Sequence, residues 1–202
     1  ITPPVTGTFT SLKGIAFPAG GGITIVGRTW LSTEGSWLMH LADDGSLQWV
    51  ERFTQSGTPV NLQPVGLVPT STGYHAWFED DFSTSDPLTR ITTDLSADAT
   101  GAGLYTVAAD KEFIATDVSA LPGEGSLIAG AFTHTSPIYN SQTLMMKMDA
   151  AGALQWAHAY GTGGYEYGAA AAATSDGGYL LAGNGVLDSL TMAEGAEERG
   201  GV

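Results

Sequence analysis

Four short apolar runs, each led by a glycine, recur along the chain at nearly constant spacing, and this period limits the fold more than any other feature. The leading glycines Gly22, Gly73, Gly125 and Gly178 stand 51, 52 and 53 residues apart. The clearest copy is Thr174-Ser175-Asp176-Gly177-Gly178-Tyr179-Leu180-Leu181-Ala182-Gly183, a turn feeding an apolar run that stops at glycine. Gly22-Ile23-Thr24-Ile25-Val26-Gly27 and Gly125-Ser126-Leu127-Ile128-Ala129-Gly130 repeat it, and Gly73-Tyr74-His75-Ala76-Trp77-Phe78 is a degraded copy. Self-similarity at such a period marks a chain built from stacked supersecondary units.

A second element recurs in the odd units. Leu38 to Trp49 and Met145 to Trp156 each hold an apolar stretch, an Asp/Gly turn and the ending Gly-x-Leu-Gln-Trp. That is a β-hairpin written in sequence, with Gly45 and Gly152 free to take a left-handed backbone and Asp43, Asp44 or Asp149 able to bond the turn. The second unit, roughly Leu88 to Leu104, keeps a strand and a turn but has no tryptophan. Each unit therefore reads as four short strands, in the first about 14–17, 23–28, 37–41 and 47–53, in the third about 113–119, 126–132, 144–148 and 154–160. No stretch shows a capped helical stripe, and the run Ala169–Ala173 falls where a first strand belongs.

Four antiparallel strands at a period of about 52 residues predict an all-β chain of the β-propeller type. One repeat domain covers residues 1–190, in units of about 11–62, 63–112, 113–164 and 165–190. The fourth is incomplete, because 191–202 is a polar, glycine-rich tail or a truncated blade with no second hairpin. Such a chain leaves strand edges open near Thr6–Leu12 and Leu180–Met192, which a second chain, a symmetry mate or polypeptide lost to cleavage would cover. The expected structural positions are Gly22, Gly73, Gly125 and Gly178 before each second strand, with Trp49 and Trp156 buried where units dock.

The segments Met148–Trp156, Tyr160-Gly161-Thr162-Gly163-Gly164-Tyr165-Glu166-Tyr167 and Thr174–Gly183 follow one another in an order that resembles bacterial exported β-propeller repeat proteins of the delta-sixty type and their quinoprotein-like relatives. The similarity is strong over Leu144 to Gly183, fair over Gly22 to Phe53 and weak in the second unit. It implies blades and an extracytoplasmic home, and no shared reaction.

Composition adds exclusions. Seven basic against 21 acidic residues give a net charge of −14, which repels phosphate backbones and anionic lipid, so nucleic acid and membrane insertion are not expected. With no cysteine, thiol catalysis, thiolate zinc and disulfides are ruled out. Low charge, acidity and Thr/Ser/Gly richness suit a secreted, cell-surface or periplasmic bacterial protein. The opening Ile1-Thr2-Pro3-Pro4 reads as a mature or cut chain.

No catalytic, cofactor-binding or metal-ligating set stands out. His40, His75, His134 and His158 lack ligand spacing, and Gly161-Thr162-Gly163-Gly164 is followed by no Lys-Ser/Thr. Glu79-Asp80-Asp81 with Asp86 leaves calcium as the one metal open to consideration, against the plainer reading of a solvated acidic loop. The expected function is a non-enzymatic binding or structural module holding a protein or glycan. The alternatives are a subunit or fragment of a larger self-assembling surface protein, and a glycan- or quinone-acting enzyme with its residues spread over several blades.

Overall fold

In a computed structural model the described residues are 9–30, 35–52, 54–55, 58–59, 62–79, 88–94, 99–105, 111–134, 140–161 and 164–185. They form an all-β protein of antiparallel sheets. Strands β1 (Phe9–Ala16), β2 (Ile23–Trp30), β3 (Gly35–Leu41) and β4 (Leu47–Arg52) pair in sequence order as the first sheet. After a small hairpin of β5 (Thr54–Gln55) and β6 (Thr58–Pro59), the second sheet is β7 (Gln63–Pro69), β8 (Gly73–Glu79), β9 (Leu88–Asp94) and β10 (Ala99–Tyr105). The third is β11 (Lys111–Ala120), β12 (Ser126–His134), β13 (Asn140–Met148) and β14 (Leu154–Tyr160), and the fourth has two strands, β15 (Glu166–Ala173) and β16 (Tyr179–Gly185). A 3-10 turn, Pro122–Glu124, precedes β12.

The turn chemistry is local. Gly45 and Gly152 adopt φ of 79° and 86°, while Asp44 Oδ1 accepts from Ser46 N at 2.8 Å and Asp149 Oδ1 from Ala153 N at 2.8 Å. Each hairpin thus closes on its own side chain.

The repeat carries a three-dimensional signature. Every first strand is bulged at the same place, with register shifts between Leu12 and Gly14, Pro64 and Gly66, Ala115 and Asp117, and Gly168 and Ala170. In three sheets the glycine ending the apolar run, Gly27, Gly130 or Gly183, pairs with the bulged site. A Cβ there would come within 2.7 Å of Ser11 O, 2.1 Å of Ile114 O or 2.5 Å of Tyr167 O. At these three sites a backbone carbonyl of the bulged strand occupies the space a side chain would take, and glycine leaves it room. The degraded second unit has Phe78 at that position, buried in the core.

The four first strands lie side by side in chain order, β1 against β7, β7 against β11 and β11 against β15. The approach is close: a Cβ on Gly14 would meet Gly66 Cα at 2.9 Å, and one on Gly66 would meet Val118 Cβ at 3.0 Å. Alanine favours helix by intrinsic propensity, yet the Ala169–Ala173 run lies in β15; of the five only Ala171 is buried, in the layer between the third and fourth sheets, and just before the run a Cβ on Gly168 would meet Gly130 O at 2.5 Å. Thr116 Oγ1 donates to Gly168 O at 2.6 Å and Ser119 Oγ to Ala171 O at 2.5 Å, while Asp117 Oδ2 accepts from Ala171 N at 3.1 Å. The bulged inner strand of the third sheet is thereby tied to its neighbour one repeat later.

Apolar layers fill the spaces between sheets. Val26, Leu38, Tyr74 and Phe78 join the first sheet to the second, Trp77, Leu88, Phe113 and Ile128 the second to the third, and Leu127, Met145 and Ala171 the third to the fourth. Each fully buried side chain of this size is worth about 1.5–3 kcal/mol. Because layers press on both faces, β8 is buried at all seven positions and shows no alternation.

The tryptophans require a correction. Trp49 and Trp156 do sit at junctions, against the first and third of these layers, but both are half-buried, since β4 and β14 are outer strands with one side toward solvent. Among the tryptophans whose side chains are described, Trp37 and Trp77 are fully buried, and they donate from Nε1 to Thr29 Oγ1 and Ser126 Oγ, each at 3.1 Å.

Candidate functional site

Residue placement follows from the repeat. Gly73 opens β8, and Gly22, Gly125 and Gly178 each directly precede a second strand; of the four, only Gly22 is left-handed, at φ 77°. The residue after the leading glycine reaches back to the preceding sheet. Tyr74 OH accepts from Thr24 Oγ1 at 2.5 Å, Ser126 takes the Trp77 bond, and the Tyr179 ring stands edge-on to Trp156 at 5.2 Å. Burial raises the Tyr74 hydroxyl above its ordinary pKa, so it stays a neutral hydrogen-bonding group at physiological pH.

The described histidines are scattered over these junctions. His40 stacks on Trp49 at 5.5 Å, with Nδ1 2.8 Å from Thr24 Oγ1. His75 is buried in β8, 3.2 Å from Thr92 Oγ1, and His158 lies on β14 beside Trp156. The His134 side chain is outside what is described. Among the described residues no group of three His, Asp or Glu side chains could hold a metal ion. Glu79 accepts from Ala115 N, tying the second sheet to the third, and Asp80, Asp81 and Asp86 lie outside the described residues.

Burial, then the nearby Arg90 guanidinium, holds the His75 pKa below its ordinary 6.5, while Glu124 opposes the shift. Arg90 itself donates to Ala150 O at 3.0 Å and Ala151 O at 2.6 Å. The neutral imidazole is the folded form. Its contribution to stability is full above the unfolded value near 6.5 and is lost as pH falls through the lowered folded value. Chemical denaturation across pH 7 to 5 should therefore show falling stability, flattened in His75→Gln; an unchanged slope in that variant would assign the acid sensitivity elsewhere.

The described surface holds an open cleft of about 550 Å³ between the third and fourth sheets, lined by Thr143, Met145, Tyr160, Glu166, Tyr179 and Asn184 among others. Strand alternation puts Trp156, His158 and Tyr160 on one side of β14, with ring centroids 5.0 and 6.3 Å apart. Tyr160 is 47% exposed. At the base, Glu166 is buried between two glycines: a Cβ on Gly161 would lie 2.7 Å from its Oε2, and one on Gly185 2.9 Å from its Cγ. Lys147 Nζ is 5.7 Å from the Tyr179 ring centre. The arrangement combines aromatic faces, a seated carboxylate and an amide, which suits binding a ligand with both apolar and hydroxyl surface. The sequence signal was Tyr160-Gly161-Thr162-Gly163-Gly164-Tyr165-Glu166, where Gly161 makes room for the carboxylate.

No family model matches the chain, and no curated protein matches it. Among solved structures, it is similar to the crystal structure of a protein of unknown function from Bacteroides caccae, with 11% identity and a TM-score of 0.48 over 87% of this chain and 54% of that one. The chain therefore spans about half the length of that structure.

Proposed function

We propose that the chain is a β-propeller-type module, its sheets the blades, that acts outside a bacterial cell as a non-enzymatic binding protein with the cleft between the third and fourth sheets as its ligand site. The supporting observation is the cleft itself, whose size falls within the range of small-ligand sites. Its exposed Tyr160 ring beside Glu166, Thr143 and Asn184 favours a neutral glycan over an anionic ligand, which the net charge of −14 would repel. The blade reading rests on the bulged first strands lying side by side in chain order.

Trp156, in contact with Tyr179 at the cleft, is a built-in reporter. Titration with neutral oligosaccharides should change tryptophan fluorescence saturably, and Tyr160→Ala should weaken binding at least about tenfold with the fold intact. A flat response across the panel would remove the ligand reading, and release of reducing ends during incubation would favour the enzyme alternative.

A further inference from the structure

We infer that the turn end of the junction between the second and third sheets is an acid-released latch: a proton on His75 frees Arg90 from the β13–β14 turn and opens that end of the junction while the sheets themselves stay folded. Strand pairing puts His75, Trp77, Arg90 and Thr92 on the face of the second sheet turned toward the third. The positions matching His75 in the other units, two residues after the leading glycine, are Thr24, Leu127 and Leu180. Those matching Arg90 on the third strands are Leu38 and Met145. Of these units the second alone sets a titratable ring beside a cation at this place.

Two charged side chains bind the sheets together here. Arg90 spends Nη1 and Nη2 on the carbonyls of Ala150 and Ala151, in the turn between β13 and β14. Glu124, in the turn before β12, accepts from Ser71 N, in the turn before β8, at 2.5 Å. His75 is buried within reach of both charges, with Nδ1 beside Thr92 Oγ1 and Nε2 enclosed without a hydrogen-bond partner. The carbonyl that faces its ring, Ala150 O, is the one Arg90 Nη1 holds. The other described charges on the elements packed here are engaged elsewhere. Asp149 bonds Ala153 N and Gln155 Nε2 in its own hairpin, Asp117 takes Ala171 N, Lys147 stands by Tyr179, and Glu79, at the far end of β8, takes Ala115 N. The side chains of Asp94, Lys111 and Glu112 are outside what is described.

An imidazolium in this place is a second enclosed positive charge beside the guanidinium, and like charges repel more strongly away from water. Hydrogen bonds from Ser71 hold the Glu124 carboxyl below its ordinary pKa, so it stays ionised throughout, yet it does not outweigh burial and Arg90 together. Parting the sheets at this end returns both cations to water at the loss of the two carbonyl bonds. In the parted form the ring titrates near its ordinary 6.5. Below that pH the closed form therefore loses ground by up to about tenfold per pH unit, until its own lower value is reached. The bonds of Trp77 to Ser126 and of Glu79 to Ala115 lie further along β8 and act as the hinge. Opening is local, and it precedes the loss of global stability.

Distances between two spin labels across the junction test the latch, and with no saccharide present the outcome is independent of the glycan reading. The chain has no cysteine, so Thr72→Cys and Ala151→Cys, both at exposed turn positions, place one label on each sheet. Between about pH 7.5 and pH 5, a longer distance should gain population while the far-ultraviolet circular dichroism of the sheets is unchanged. His75→Gln, neutral across this range, should keep the short distance. Glu124→Gln retains an acceptor for Ser71 but removes the charge that favours the proton, so the midpoint should move to lower pH, which a merely structural role would not produce. Because Glu124 sits in a surface turn, this variant reports on the latch even if the His75 variant fails to fold. A distance that does not change with pH, a transition that persists in His75→Gln, a midpoint not lowered by Glu124→Gln, or opening that coincides with loss of the sheet signal would each overturn the proposal.

Discussion

Trp77→Ala is expected to destabilise the protein by about 3–5 kcal/mol, the range for emptying the space of a buried aromatic. Trp77 is fully buried in the layer between the second and third sheets, and its indole N–H is donated to Ser126 Oγ. Truncation opens a cavity at that junction and leaves the Ser126 hydroxyl, itself buried, without this donor. A junction buried on both sides has little room to collapse. Trp156→Ala should cost roughly half as much, about 2 kcal/mol, because one side of that ring already meets water. Urea denaturation of both variants checks the order. If Trp156→Ala proved the costlier of the two, the outer junction would carry more of the fold than its burial implies.

Gly130→Ala is expected to cost about 3 kcal/mol, at the upper end of overpacking effects, because the added methyl would sit 2.1 Å from the Ile114 carbonyl and 2.9 Å from the Phe113 ring. A backbone carbonyl held in a bulge cannot rotate away as a surface side chain can. The contrast is Gly45→Ala, where nothing lies within 4 Å and only the left-handed backbone resists, a cost of about 1–2 kcal/mol. Thermal unfolding of the two variants separates steric demand from conformational strain. Equal losses would mean that the bulge relaxes, and the argument for glycine opposite it would fail.

Much of the strand layout could be read from local residues. Turn glycines and aspartates lie at sequence positions that fix hairpins, so Gly45, Gly152, Asp44 and Asp149 delimited β3, β4, β13 and β14 closely. The first strands were less legible. The expected strand 14–17 is in fact Phe9–Ala16, because a bulge interrupts the alternation on which a strand is recognised. Residues 9–12, expected at an open edge, pair with β2 on one side as part of the end strand of the first sheet.

The site was harder still. Tyr160, Glu166 and Tyr179 lie in three separate segments, and the sequence marked the first two only as parts of a connecting motif. The repeated Gly-x-Leu-Gln-Trp drew notice to Trp49 and Trp156, although burial selected Trp37 and Trp77. Repetition reports which positions are alike between units, whereas burial depends on what the neighbouring sheet places against them.

The sequence by itself determined the period, the antiparallel hairpins and their turns, since these depend on backbone freedom and side-chain bonds within a few residues. Only the tertiary structure decided that the apolar runs end at glycine because a bulge in the adjacent strand projects a carbonyl there. It also decided that Glu166 is seated between Gly161 and Gly185. Those outcomes require groups far apart in the chain to be placed within a few ångströms, and a bulge and a buried carboxylate acquire meaning only once the neighbouring sheet is in position.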